Sequence, residues 1–337
     1  MSRWLVLAPA SPTIGFGHVA RSLVLVDAIR DRGDSATLVT TPDVASQGGE
    51  ASDLKRVALD DWTPRTLGDL ARSADIVLLD APDATLERLG WTTTVARFVA
   101  AFRIHDLDDG AAPFEDVSLT PTFATPSVTD TRHGGRRRRH WRGRDLIVIR
   151  ASCFATDTDV KETPPHVLVT MGGADPLGLT TVACEGLTHV APAMRVTVVV
   201  GRLNPAYEHL RERFGSSFSV KRQGEIEFDT SLRRATLALV NAGLTRYECI
   251  AARTPFVALS MDAQQAAITE QVVGAGFGWH AGIGASTPPE AVATIVSNAL
   301  SQPETISSMR LAASTMVDAA WPRHLVARLD SVSHDQA

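Results

Sequence analysis

The side chains of this sequence best suited to chemistry gather at three glycine-bearing turns. In Ile14-Gly15-Phe16-Gly17-His18-Val19-Ala20-Arg21 two glycines, Gly15 and Gly17, let backbone approach a ligand, and His18 follows them at the start of a helix. An imidazole ordinarily titrates near neutrality, so it can take a proton from an attacking hydroxyl; it can equally do no more than cap the helix. The second turn is Met171-Gly172-Gly173-Ala174-Asp175-Pro176, with Gly178-Leu179-Thr180 opening the next helix. Its backbone amides can hold phosphate oxygens, and Asp175 reads either as a ligand or as a turn-maker before Pro176. The third, Asn241-Ala242-Gly243-Leu244-Thr245-Arg246-Tyr247-Glu248, again passes from strand through small residues into a helix. Glu248 lies one turn in, where a carboxylate suits paired ribose hydroxyls better than phosphate, or is an ordinary first-turn acid favoured by the helix dipole. Two anion-friendly turns and that acid point to a nucleotide.

Other groups carry less. Asp80 ends a strand and Asp106, Asp108 and Asp109 follow another, where carboxylates can bind the hydroxyls of a sugar or acceptor, although aspartates are also common turn residues. The run Arg136 to Arg139, with Arg142 and Arg144, is either a solvated loop or an anionic acceptor site. A net charge of −5 argues against general nucleic-acid binding. Cys153, Cys184 and Cys249 are too scattered for a thiolate metal site or a disulfide framework and read as core residues, and the histidines form no ligand array, so no metal and no cofactor are expected. The first turn lacks the third glycine of a dinucleotide fingerprint, which disfavours a dehydrogenase.

The elements that must position these groups alternate between strand-length apolar runs and amphipathic helices, the pattern of parallel βαβ sheets. Trp4 to Ala8 reads as a strand, and Val19 to Arg32 as a helix with Val19, Leu23, Val26 and Ile29 on one stripe, closed by Gly33. Strands are expected at Ala36 to Thr40, Ile76 to Asp80 and Phe98 to His105; residues 110–144 read as loop-rich. Periodicity restarts with His166 to Met171, Val196 to Gly201, Leu237 to Asn241 and Phe256 to Ser260. The expected fold is therefore α/β: two Rossmann-like domains, 1–155 and 156–315, with an interdomain cleft, and a segment 316–337 returning to the first, with Pro322 interrupting the final helix. At 337 residues the chain is long enough for two such cores. No apolar run approaches the roughly 20 residues of a membrane span, and no signal peptide is evident, so a cytoplasmic location is expected.

The string Ile-Gly-Phe-Gly-His-Val-x-Arg, the Met-Gly-Gly-x-Asp turn, the Asn-Ala-Gly-x-Thr-x-x-Glu turn and Asp262-Ala263-Gln264 resemble the nucleotide-sugar hydrolase family of pseudaminic acid biosynthesis. More distantly they resemble the N-acetylglucosaminyltransferase that forms lipid II. Both resemblances imply a glycosyltransferase-B (GT-B) fold, with Gly172, Gly173, Gly243, Leu244 and Thr245 around a nucleoside diphosphate, Glu248 on the ribose and Gln264 near the sugar. His18 matches the family's general base, and Arg21 is a candidate to neutralise the leaving diphosphate. The chain departs from the hydrolases at Asp80-Ala81-Pro82, where they carry an aromatic residue with a hydroxyl. The expectation is an inverting, metal-independent glycosyltransferase using a nucleoside-diphosphate sugar, UDP by analogy, and a small-molecule acceptor. The alternatives are a hydrolase passing the sugar to water and a noncatalytic nucleotide-sugar sensor.

Overall fold

The structure is a computed structural model, and it describes residues 1–42, 54–58, 61–82, 100–104, 115–133, 136–156, 161–190 and 194–334. The chain divides into two compact units, Met1–Val148 with Ala320–Ala337, and Ile149–Ala319.

The first unit is built on β1 (Arg3–Leu7), β2 (Ser35–Thr40), β3 (Leu54–Arg56), β4 (Ile76–Leu79), β5 (Ala100–Ile104), β6 (Val117–Pro121), β7 (Ser127–His133) and β8 (Arg136–Gly143), with helices α1 (Gly17–Asp31) and α2 (Pro64–Ala71). Its eight strands run in the order β3-β2-β1-β4-β5-β6-β8-β7, and every pairing is parallel except the terminal β7–β8 hairpin. Trp4 to Leu7 are buried throughout, as an inner strand covered on both faces requires. α1 ends where Gly33 takes a φ of 87° and its amide bonds back to the Arg30 carbonyl at 2.8 Å, a conformation that glycine adopts without strain.

The second unit holds β9 (His166–Thr170), β10 (Arg195–Val200), β11 (Ser219–Arg222), β12 (Leu237–Asn241), β13 (Phe256–Ser260) and β14 (Trp279–Ile283). Its helices are α3 (Leu179–Thr188), α4 (Tyr207–Phe214), α5 (Phe228–Arg234), α6 (Thr245–Ala251), α7 (Ala263–Gly274), α8 (Pro289–Leu300) and α9 (Pro303–Ala313). The sheet is wholly parallel, ordered β11-β10-β9-β12-β13-β14. In each unit the order reverses beside the first strand, so the loops at the carboxyl ends of neighbouring strands diverge there and leave room for a ligand. The last helix, α10 (Trp321–His334), belongs to the first unit: Leu325, Val326, Leu329 and Val332 join the core formed by β1 and α1. Pro322 starts this helix, where its missing N–H costs no hydrogen bond.

One expectation fails. Within the stretch 110–144 that reads as loop-rich, Val117–Pro121, Ser127–His133 and Arg136–Gly143 are the strands β6, β7 and β8. The period-2 apolar signal is absent because the hairpin is written mostly in polar side chains: Arg138 and Trp141 of β8 turn inward, while residues 127–132 of β7 are exposed. The arginine run is largely committed. Arg137 bonds to Asp130 at 2.5 Å, and Arg138 donates to the Glu115 carbonyl at 2.7 Å.

Among the described residues no helix is long and apolar enough to cross a membrane. The three cysteines are free and buried; burial pushes the Cys184 thiol up to about 12.

Candidate functional site

The first turn is set by β1 and its neighbour β4. Past the end of β1, the Gly15 amide returns to the Ser11 carbonyl at 2.8 Å, and Gly15 has a φ of 82°. A side chain at either Gly15 or Gly17 would meet nothing within 4 Å, so the turn faces open space. α1 begins at Gly17, which puts His18 and Arg21 one turn apart on the same face. β4 lies parallel to β1, and the Asp80 amide bonds to the Leu7 carbonyl at 2.9 Å, bringing the end of β4 beside that face.

There Asp80 gathers the two. Its Oδ1 is 2.7 Å from His18 Nδ1 and accepts from Arg21 Nη2 at 2.5 Å; its Oδ2 accepts from Arg21 Nε at 2.8 Å and from Ser22 Oγ at 3.4 Å. The Asp80 side chain is 0% exposed, those of His18 and Arg21 10% and 8%. Burial alone would raise the Asp80 pKa, but the Arg21 guanidinium, with His18, outweighs it and holds the carboxyl below its ordinary range. An ionised carboxylate only accepts, so Nδ1 carries the ring proton and Nε2 the lone pair. Both oxygens of Asp80 face His18, Arg21 and Ser22, and the Arg21 guanidinium, expected near a diphosphate, grips Asp80.

The second and third turns share the other unit. Gly172 has a φ of 79°, and a Cβ there would come within 3.1 Å of Asn241 Nδ2; one on Gly243 would come within 3.3 Å of Asn241 Oδ1. The Asn241 amide therefore sits between the two turns, which adjacent β9 and β12 bring together. Gly201, at the end of β10, makes room from the other side: a Cβ there would strike the carbonyls of Gly172 and Gly173. Asp175, with a φ of 50°, accepts from the Leu179 and Thr180 amides at 2.7 and 2.9 Å and from Thr180 Oγ1 at 2.6 Å. It is the turn-maker: its carboxylate occupies the first amides of α3 and withholds them from a phosphate.

Gly243, Leu244 and Thr245 are half-buried where α6 begins, whereas Glu248 is only 5% exposed. Glu248 Oε1 is 3.0 Å from Arg150 Nη1, and Arg150 Nε and Nη2 reach Asp229 at 3.0 and 2.6 Å. Burial raises the Glu248 pKa against the pull of Arg150. Asp229, which burial would also raise, is held low by its bonds from Arg150. Gln264 is exposed at the start of α7, which Asp262 caps through the Gln265 amide at 2.8 Å. Asp106, Asp108 and Asp109 lie outside the described residues. No three His, Cys, Asp or Glu side chains among the described residues cluster as a metal site would need.

Sequence reasoning missed the union of His18, Asp80 and Arg21, and also Asn241, Gly201 and Arg150. A signal existed for some: Asn241 ends an apolar strand run, and Gly201 closes Val196 to Val200, the position where a strand meets a ligand turn.

No family model and no curated protein matches this chain. Solved structures do match it over nearly its whole length. S. aureus MnaA, in a co-structure with UDP, has a TM-score of 0.66 at 12% identity, covering 98% of this chain and 96% of that one. The spinosyn rhamnosyltransferase SpnG, complexed with thymidine diphosphate, has a TM-score of 0.62 at 14% identity, covering 98% and 100%. Acinetobacter baumannii MurG gives 0.59 at 14%, also covering 98% and 100%. The likeness at these identities is one of fold: two Rossmann-like domains of the GT-B type.

Proposed function

We propose that this chain is an inverting glycosyltransferase that moves a sugar from a nucleoside diphosphate to a small-molecule acceptor, with His18 as general base. The observation that carries the reading is the His18 Nδ1 to Asp80 contact of 2.7 Å. With Nδ1 protonated and directed at an anion, Nε2 carries the lone pair that takes a proton from the acceptor hydroxyl as its oxygen bonds to the anomeric carbon. The bond to the diphosphate breaks on the opposite face, so the anomer inverts. Backbone amides of the Gly172-Gly173 and Gly243-Leu244-Thr245 turns receive the charge developing on the departing diphosphate. Glu248, beside Arg150, serves as the ribose ligand, and Gln264, exposed at the start of α7, serves as the sugar ligand. UDP and thymidine diphosphate are the first nucleotides to try, because neighbours of the same fold were solved with them.

The test needs no knowledge of the sugar. Thermal unfolding with UDP, dTDP, ADP, GDP and CDP should show one nucleotide raising the midpoint, and Glu248→Ala should abolish the rise; a ligand at 100 times its Kd stabilises by about 2.7 kcal/mol. No rise with any nucleotide contradicts the reading. Given the nucleotide, diphosphate release from its sugars that requires an added acceptor marks a transferase, and release with free sugar in water alone marks a hydrolase.

A further inference from the structure

Asp80 binds more than His18. Arg21 approaches it through Nε and Nη2, a two-point clasp spanning both oxygens at 2.8 and 2.5 Å, and Nη2 also lies 3.5 Å from His18 Nδ1. A simple orienting contact needs only one carboxylate oxygen. A solitary buried carboxylate would also favour the charged imidazolium, the form that cannot act as a base. We propose that Arg21 is a positioning residue for the base: by clasping Asp80 it fixes the edge against which His18 is held and offsets the carboxylate's charge, so that Asp80 orients the imidazole without capturing a second proton on it.

The inference rests on the reading of His18 as the base, and its physical content is separable from that reading. Among the described residues the charges acting on Asp80, which directly follows β4, are Arg21, from α1, and His18 itself; Ser22 adds a neutral hydroxyl. Burial of all three partners magnifies each charge, because little water is present to screen it. Removing the guanidinium therefore takes a cation from beside Asp80 and His18, and removing the carboxylate takes an anion from beside His18. The two changes must move the imidazole in opposite directions.

NMR titration of His18 in the ligand-free protein reads this directly and needs no donor. Arg21→Gln should titrate about 1 to 2 pH units higher than wild type, the effect expected of one unmasked charge at this range. Asp80→Asn should titrate lower, and Arg21→Lys, which keeps the charge but loses the fork, should stay close to wild type. Where a donor is turned over, the acidic limb of the kcat/KM profile should move up with the Arg21→Gln titration, lowering the rate near neutrality and restoring it in alkali. A merely structural Arg21 would lower the unfolding midpoint and leave the titration in place. An unchanged or lower titration in Arg21→Gln overturns the proposal. Should that variant fail to fold, Asp80→Asn decides, and a value at or above wild type overturns it. Failure of the glycosyltransferase reading shows instead as absent turnover with the titration shifts intact.

Discussion

An imidazole serves as a directed base only when one ring nitrogen is committed, and in this chain the commitment comes from a residue 62 positions away. The glycines and the histidine of the first turn were legible as a ligand-facing loop because they are contiguous. Asp80 was legible as a strand-end carboxylate, but not as a partner of His18, since only the strand order, with β4 beside β1, decides which strand end meets which helix start. The Arg21 grip on Asp80 was hidden for the same reason. Energetically Asp80 must matter for stability as well. Its pKa in the folded protein lies below the value of about 3.9 usual for an unfolded chain, so its contribution is complete above that value and is lost as pH falls through the folded one. Asp80→Asn, which takes from the buried Arg21 guanidinium the carboxylate that it grips at two points, should cost about 3 kcal/mol near neutrality. In urea unfolding at several pH values, that gap should hold above about pH 5 and narrow below pH 4; a gap that widens on acidification contradicts the ion pairing.

At the scale of elements, the parallel strands β1, β2, β4, β9, β10, β12 and β13 were readable as largely apolar runs bounded by glycine or polar turns, whereas β3, β11 and β14 are short or carry polar residues and went unread. The expected Leu237 to Asn241 and Phe256 to Ser260 are the observed β12 and β13. The β7–β8 hairpin was not readable. Its arginines satisfy strand geometry by pairing with Asp130 and a backbone carbonyl, which leaves no hydrophobic alternation to detect. Packing between turns was also hidden. Gly201 ends β10 with no chemistry of its own, yet any Cβ there collides with the Gly172 and Gly173 carbonyls. Gly201→Ala should therefore displace the second turn, destabilise the second unit by about 2 to 3 kcal/mol and weaken stabilisation by the bound nucleotide. Isothermal titration with the nucleotide found by thermal unfolding checks this, and wild-type affinity in the variant would remove the Gly172-Gly173 turn from the site.

For the whole molecule, alternating strands and helices with one interruption were enough to anticipate two α/β units, and the unit division falls between Val148 and Ile149. From the sequence, the segment 316–337 is expected to return to the first domain, and Ala320–Ala337 falls in the first unit. α10 completes the first unit's core through Leu325, Val326, Leu329 and Val332, beside the very helix that carries His18 and Arg21. Each unit brings a different half of the proposed chemistry: the first an oriented imidazole, the second two small-residue turns and a buried, arginine-held glutamate. The account therefore predicts that binding and turnover separate by mutation. The most direct measurement is diphosphate release from the matching nucleoside-diphosphate sugar by wild type and His18→Ala, with nucleotide-induced stabilisation recorded on the same samples. The expected result is a rate lower by roughly 100-fold or more in the variant with stabilisation unchanged; equal rates would contradict the central claim and take His18 out of the mechanism.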